Sequence, residues 1–359
     1  MRSGPKAPAP KFLLALAASL ASATNGDDDV STSGLPCGEH GRRCRKGQYC
    51  ARLDTPDAES PLDAYVCVDD AVTVGRPFHV DGEVVIASSE FTTGWFRPQE
   101  QLAPAMPTST DERRHLAERW AAFAAAEHAS VASFSLHSLH MLSVGAPAAL
   151  IASIHRAALD EVEHAKLGYG LASAFNGTSV GPAPLPTAGA STASDLLSIA
   201  AATAREGCFG ETVAAVEARL AAARATDPAV RAALTIVAAD EARHAALAWE
   251  TVAWIGSRSP EAAGHVHSEI SALAHLGIPT AAAWNAAREG RLERWGVLGD
   301  AAKEHARRAA LEQVIWPALG WVLESKAGVE TLVARAIGDV AVAVSVPPPA
   351  GTEGSIAAS

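Results

Sequence analysis

Two short stretches of the chain repeat one chemical pattern. Asp160-Glu161-Val162-Glu163-His164-Ala165 and Asp240-Glu241-Ala242-Arg243-His244-Ala245 share Asp-Glu-x-x-His-Ala. Residues three apart lie on one face of a helix, so each Glu and His can reach a common ion. A further glutamate precedes each repeat. Glu127 lies 34 residues before Glu161, and Glu206 lies 35 before Glu241. Carboxylate-rich ligation with two imidazoles and no thiolate suits iron or manganese.

Each of these side chains interrupts an apolar stripe of helical period. The first stripe runs Trp120, Phe123, Glu127, Val131, Phe134, Ser138, Met141, and the second Leu150, Ile154, Ala157, Glu161, His164, Gly168, Leu171, Phe175. The third runs Ile199, Ala202, Glu206, Phe209, Val213, Val216, Leu220, and the fourth Leu234, Val237, Glu241, His244, Ala248, Val252, Ile255. This periodicity predicts four helices, each burying a carboxylate. An ionised carboxylate in a core costs on the order of several kcal/mol even after relaxation. Four together repel one another, so something positive must lie between them, and two divalent ions balance four glutamates in formal charge. Glu127, Glu161, His164, Glu206, Glu241 and His244 are therefore the candidate ligands. Asp160 and Asp240 can each accept the remaining ring N–H of a ligand histidine on a neighbouring helix. Glu211 stands five residues past Glu206, about 140° around an α-helix. It reads as a residue behind the ligands or a mobile extra ligand.

Local signals set the elements that must carry these residues. Ser109 with Glu112 forms a helix-starting pair. Gly145-Ala146-Pro147 and Asn176-Gly177 end the first two helices, and Thr226-Asp227-Pro228 turns the third into the fourth. The connection between the second and third helices has about 18 residues and spans about 60 Å when extended. A helix of about 25 residues is only about 38 Å long, so this connection can cross the whole length of a bundle.

The four glutamates and two Glu-x-x-His pairs resemble the ferritin-like di-iron carboxylate superfamily, in which two helices give one Glu each and two give Glu-x-x-His. The resemblance covers roughly 145 of 359 residues. It implies an all-α fold with a ferritin-like four-helix bundle over residues 109–257 and one long crossover. It also implies two iron ions, with manganese the alternative, reaction with oxygen or peroxide, and an external electron donor. A ferroxidase or iron-binding module without an organic substrate is a second implication, and a metal-bound helical scaffold a third. The Glu-x-x-x-x-Glu spacing of Glu206 and Glu211 is similar to that of the tRNA-modifying hydroxylases of the superfamily. The formal net charge of −11 and the lack of a basic stripe argue against a nucleic-acid partner.

The flanks read differently. Arg2, Lys6 and Lys11 precede an apolar run from Phe12 to Ala23 that ends in Ala21-Ser22-Ala23, the pattern of an export signal over residues 1–23. That run is too short to span a membrane, and the mature chain is expected to have no span. The expected location is periplasmic, cell-surface or extracellular. Residues 24–36 read as a linker. Cys37, Cys44, Cys50 and Cys67 fall within a Gly- and charge-rich module, 37–67, too poor in large apolar residues to fold without two disulfides. Their pairing is open. Residues 68–108 read as a hairpin, around Asp81-Gly82, and an irregular linker. Gly207 and Gly210 leave room for substrate or oxygen, or for close helix packing. Residues 258–340 read as accessory helices, packed on the outside or in a homodimer contact, and 341–359 as a disordered tail.

Overall fold

The computed structural model describes residues 48–52, 65–69, 75–80, 83–92, 94–95, 102–275, 291–324 and 326–345. The export signal, the linker, Cys37 and Cys44 lie outside them. The fold is mostly helical, as the stripes require. Helix α1 (Thr110–Ser143) begins where Ser109 Oγ accepts the Glu112 N–H at 3.3 Å. Helix α2 (Ala148–Asn176) stops at Gly177, which takes a φ of +75° that few side chains tolerate. The rod α3 has three continuous parts: Leu196–Ala202, a π-helical stretch Thr203–Glu211, and Thr212–Arg224. Helix α4 (Pro228–Gly256) is capped by Asp227, whose carboxylate accepts from Ala229 and Val230, with Pro228 in the first turn.

Hydrogen bonds at the two ends give the direction of each rod. His140 and Ser143, at the end of α1, reach the carbonyls of Ser191 and Ala193. The chain leaving α2 at Asn176 has thus travelled back to the α1–α2 turn before α3 begins. At the other end the Ala105 N–H, just before α1, donates to the Asp227 carboxylate that caps α4. Thus α1 and α4 run one way and α2 and α3 the other. α1 packs on α2, α3 on α4, and α2 on α4. The stripe residues Trp120, Phe134, Met141, Ile154, Leu171, Val216 and Val252 form one core with the accessory helices. Fully burying each such side chain stabilises the fold by about 1.5–3 kcal/mol.

The accessory elements pack on α3 and α4 within this chain. They are α5 (Pro260–Ala274), a single turn at Glu293–Trp295, α6 (Asp300–Ala310, continuing through a π-helical Leu311–Ile315 into Trp316–Leu323) and α7 (Val329–Ser345). Pro317 follows the widened turn, where no regular hydrogen bond is lost to its missing N–H. Helix α7 runs five residues past the expected boundary at 340, and the residues expected to form the tail from 346 on lie outside the described residues. Among the described residues no helix is long and apolar enough to cross a membrane.

Short strands lie ahead of the helices. β1 (Gln48–Arg52) pairs antiparallel with β2 (Tyr65–Asp69), with Cys50 opposite Cys67. β3 (His79–Val80) pairs with β4 (Glu83–Val84) around Asp81-Gly82. β5 (Ser89–Glu90) pairs with β6 (Gly181–Pro182), which ties this arm to the long connection after α2. Phe78 and Ala87 of the arm are buried.

Candidate metal centre

α2 and α4 cross in opposite directions with their Glu-x-x-His motifs facing. Glu161, His164, Glu241 and His244 are all at most 2% exposed. Two overlapping sets of side chains converge there: Glu127, Glu161, His164 and Glu241; and Glu161, Glu211, Glu241 and His244. Within each set the candidate ligand atoms lie within 4.8 Å of one another. Glu161 and Glu241 belong to both. This buried Glu/His group could hold a metal ion.

The histidines are oriented from behind. His164 Nε2 donates to Asp240 at 3.1 Å, and His244 Nε2 donates to Asp160 at 3.3 Å. A carboxylate only accepts, so the proton sits on Nε2 and each Nδ1 faces inward. His164 Nδ1 lies 3.3 Å from both Glu161 and Glu241, and His244 Nδ1 lies 3.2 Å from Glu161. Arg243 closes this outer layer by touching both Asp160 and Asp240. It is half exposed, but its guanidinium holds the two aspartates.

The inward atoms are those left unsatisfied. His164 Nδ1, His244 Nδ1, Glu161 Oε2, Glu241 Oε2 and both oxygens of Glu211 are buried without a hydrogen-bond partner. Buried polar atoms are nearly always paired. Oxygen and imidazole-nitrogen atoms orphaned around one point are the donor set that a first-row divalent ion takes, so the residues fit such an ion.

The third-helix ligand differs from the expectation. Glu206 is in neither set; it pairs with Arg76 and His79 nearer the surface. Glu211 is in the centre and fully buried. The cause is the π-helical stretch Thr203–Glu211. Hydrogen bonds there close from i to i+5, so a residue five on returns to nearly the same face. The 140° offset of a regular α-helix does not apply. Both glutamates then point the same way, and height along the rod selects Glu211. Arg76, 3% exposed beside Glu211, carried no sequence signal of its own. The indirect signal was a pair of helix-interior glycines, Gly207 and Gly210. Cys208 between them is fully buried, and burial pushes its thiol pKa up. Tyr169 is also buried, in a small cluster with Ala124 and Ala165. His137 is buried and pushed low by burial and the Arg76 charge, and His155 contacts Ser138.

Protons occupy the cluster when no metal does. Burial, then the Glu161 charge, pushes the Glu127 carboxyl well above its usual range. Burial and the Glu241 charge do the same to Glu211. Burial would depress the histidines, but the hydrogen bond with Asp240 and the nearby glutamate carboxylates raise His164 well above normal. Asp160 and Glu161 likewise raise His244 to about 9. Burial would raise Glu161, yet its close neighbours Glu127, His164 and His244 bring it below its usual value.

Each raised group binds its proton more tightly folded than unfolded. Stability is therefore greatest below the unfolded pKa and falls as pH climbs through the folded value. Groups with lowered pKa, Glu161 and Asp240, contribute fully above their unfolded values and stay constant here. The metal-free protein is thus expected to lose stability between about pH 6.5 and 9, as His244 gives up its proton. Metal displaces these protons, so stabilisation by added divalent ions should grow over the same window. Thermal melts at the two ends of the window, with and without metal, check both. A metal-free melting temperature that rises with pH contradicts the protonation pattern.

No family model, curated protein or solved structure matches the chain.

Proposed function

We propose that the chain holds two metal ions, iron first and manganese as the alternative, and reacts with oxygen or peroxide. The observation that carries this is the pair of overlapping ligand sets sharing Glu161 and Glu241. Glu161 and Glu241 would help to hold both ions, and each set adds its own histidine and one further glutamate. The up-down-down-up course of α1–α4, with one long connection after α2, supports a ferritin-like four-helix arrangement. Export and disulfides among Cys37, Cys44, Cys50 and Cys67 belong to the same reading, with metal loaded outside the cytoplasm.

Two ferrous ions held by Glu127, Glu161, His164, Glu211, Glu241 and His244 would supply two electrons to an oxidant, with an external donor restoring them. The chain's own part is preorganisation. Asp240 and Asp160 fix the histidine tautomer, so that Nδ1 lone pairs face inward once protons leave. Burial of Glu161, His164, Glu211, Glu241 and His244 keeps bulk water from competing for them. A second reading, metal oxidation without an organic substrate, gains support from the seating of the arm. The room at Gly207 and Gly210 is taken by Gly75, Arg76 and Ala248, which leaves less space for a bulky reductant.

The test is elemental analysis of wild-type protein loaded anaerobically with Fe(II), followed by oxygen uptake. About two ions per chain, and uptake that depends on them, is the expected result. No retained metal sinks the reading. Uptake that stops once the loaded iron is oxidised, with no further turnover when a reductant is supplied, selects the second reading.

A further inference from the structure

One cation is buried beside the cluster, and it comes from the N-terminal arm. The Arg76 guanidinium lies 3.6 Å from Glu211 through Nε and 3.7 Å from Glu206 through Nη1, and sits 4.7 Å from the Phe134 ring centroid. Nε has no hydrogen-bond partner. A buried charge with only long contacts is expensive unless its surroundings need that charge.

Its seat is built into α1 and α3. Ser130 Oγ donates to the Arg76 carbonyl at 2.8 Å, and the Gly75 N–H donates to the Gly210 carbonyl at 3.4 Å. A Cβ on Gly210 would collide with the Gly75 carbonyl oxygen, and one on Gly207 would come within 2.5 Å of Ala248 Cβ on α4 and 2.7 Å of an Arg76 nitrogen. α3 thus gives up helix propensity at two positions: Gly210 admits the arm's backbone, and Gly207 admits both the Arg76 side chain and the close approach of α4. The other cation at the site, Arg243, lies on the far side and serves Asp160 and Asp240.

We propose that Arg76 is the resident counter-cation of the centre. While no metal is bound, its charge lies against the Glu206 and Glu211 side chains. By repulsion it then limits how tightly divalent ions are held. This rests on the metal reading above. Arg76 is a positioning residue that acts through Glu211 and the local field, and its removal has two opposite signs. The metal-free protein loses stability, whereas the gain on metal binding grows. A side chain that only packs lowers stability without tightening metal.

The experiment titrates the full chain with Mn(II) and follows affinity and melting temperature in wild type, Arg76→Gln, Arg76→Lys and Gly210→Ala. Arg76→Gln is expected to melt lower without metal and to bind Mn(II) roughly tenfold tighter, since a full charge near the ions is removed. Arg76→Lys keeps the charge and should stay near wild type. Gly210→Ala displaces the arm without altering a ligand and should also bind Mn(II) more tightly, which carries the test if Arg76→Gln does not fold. Unchanged or weaker Mn(II) affinity in the folded variants overturns the proposal, as does equal tightening in the Lys variant. A wild type that binds no Mn(II) and no Fe(II) brings down the metal reading itself, a result distinct from either.

Discussion

Replacing Glu161 and Glu241 together with alanine is expected to abolish metal binding while leaving a helical protein. Both carboxylates belong to both ligand sets, so no subset of three or more grouped ligands survives. Loss of a hydrogen-bond partner behind a ligand typically weakens metal about 10–100-fold; loss of two shared ligands should cost more than that. The helices do not depend on these side chains, because the core that joins α1–α4 to the accessory helices is apolar. Elemental analysis alongside circular dichroism checks the result. A folded variant that retains the wild-type metal content would show that the ions, if bound, sit elsewhere.

The two glutamates of the π-helical stretch should separate sharply. Glu211→Ala is expected to remove one metal equivalent. It strips the second set to Glu161, Glu241 and His244, while leaving Glu127, Glu161, His164 and Glu241 complete. Glu206→Ala is expected to keep both, since Glu206 is in neither ligand set and its ion pairs among the described residues are with Arg76 and His79. A difference of about tenfold or more in affinity for the second ion, read by titration, is the measurable consequence. If Glu206→Ala loses the equivalent and Glu211→Ala does not, the regular helical register is the correct one for α3.

That reversal marks the limit of reading a period from sequence. Ile199, Val213, Val216 and Leu220 are buried where the stripe puts them, because the α-helical parts on either side obey the 3.6-residue repeat. Between them the turn widens, and the repeat carries no signature of a widened turn. Glu127, Glu161, His164, Glu241 and His244 stood on rods without such a break, and spacing alone was enough to bring them together. The aspartates were legible for a related reason, since each precedes its motif glutamate on an antiparallel pair of helices. Arg76 was not legible. It acts across more than 130 residues of chain, from a segment with no repeat, and only the two glycines that receive it left a trace. Nor does the repeat mark Arg243, a half-exposed side chain that still bridges Asp160 and Asp240.

The α2–α4 pair has a further consequence. Asp160 faces His244 and Asp240 faces His164, so each half of the centre braces the other half. A pair of identical hairpins associating as separate chains would carry the same residue at both places now held by Glu163 and Arg243. Two arginines would crowd two aspartates with a cation each, and two glutamates would leave both unbalanced. One chain carrying both hairpins escapes that choice. It sets a single guanidinium between Asp160 and Asp240 and turns Glu163 toward Lys166, so the covalent link between halves allows a centre that is symmetric in its ligands and asymmetric in the charge behind them.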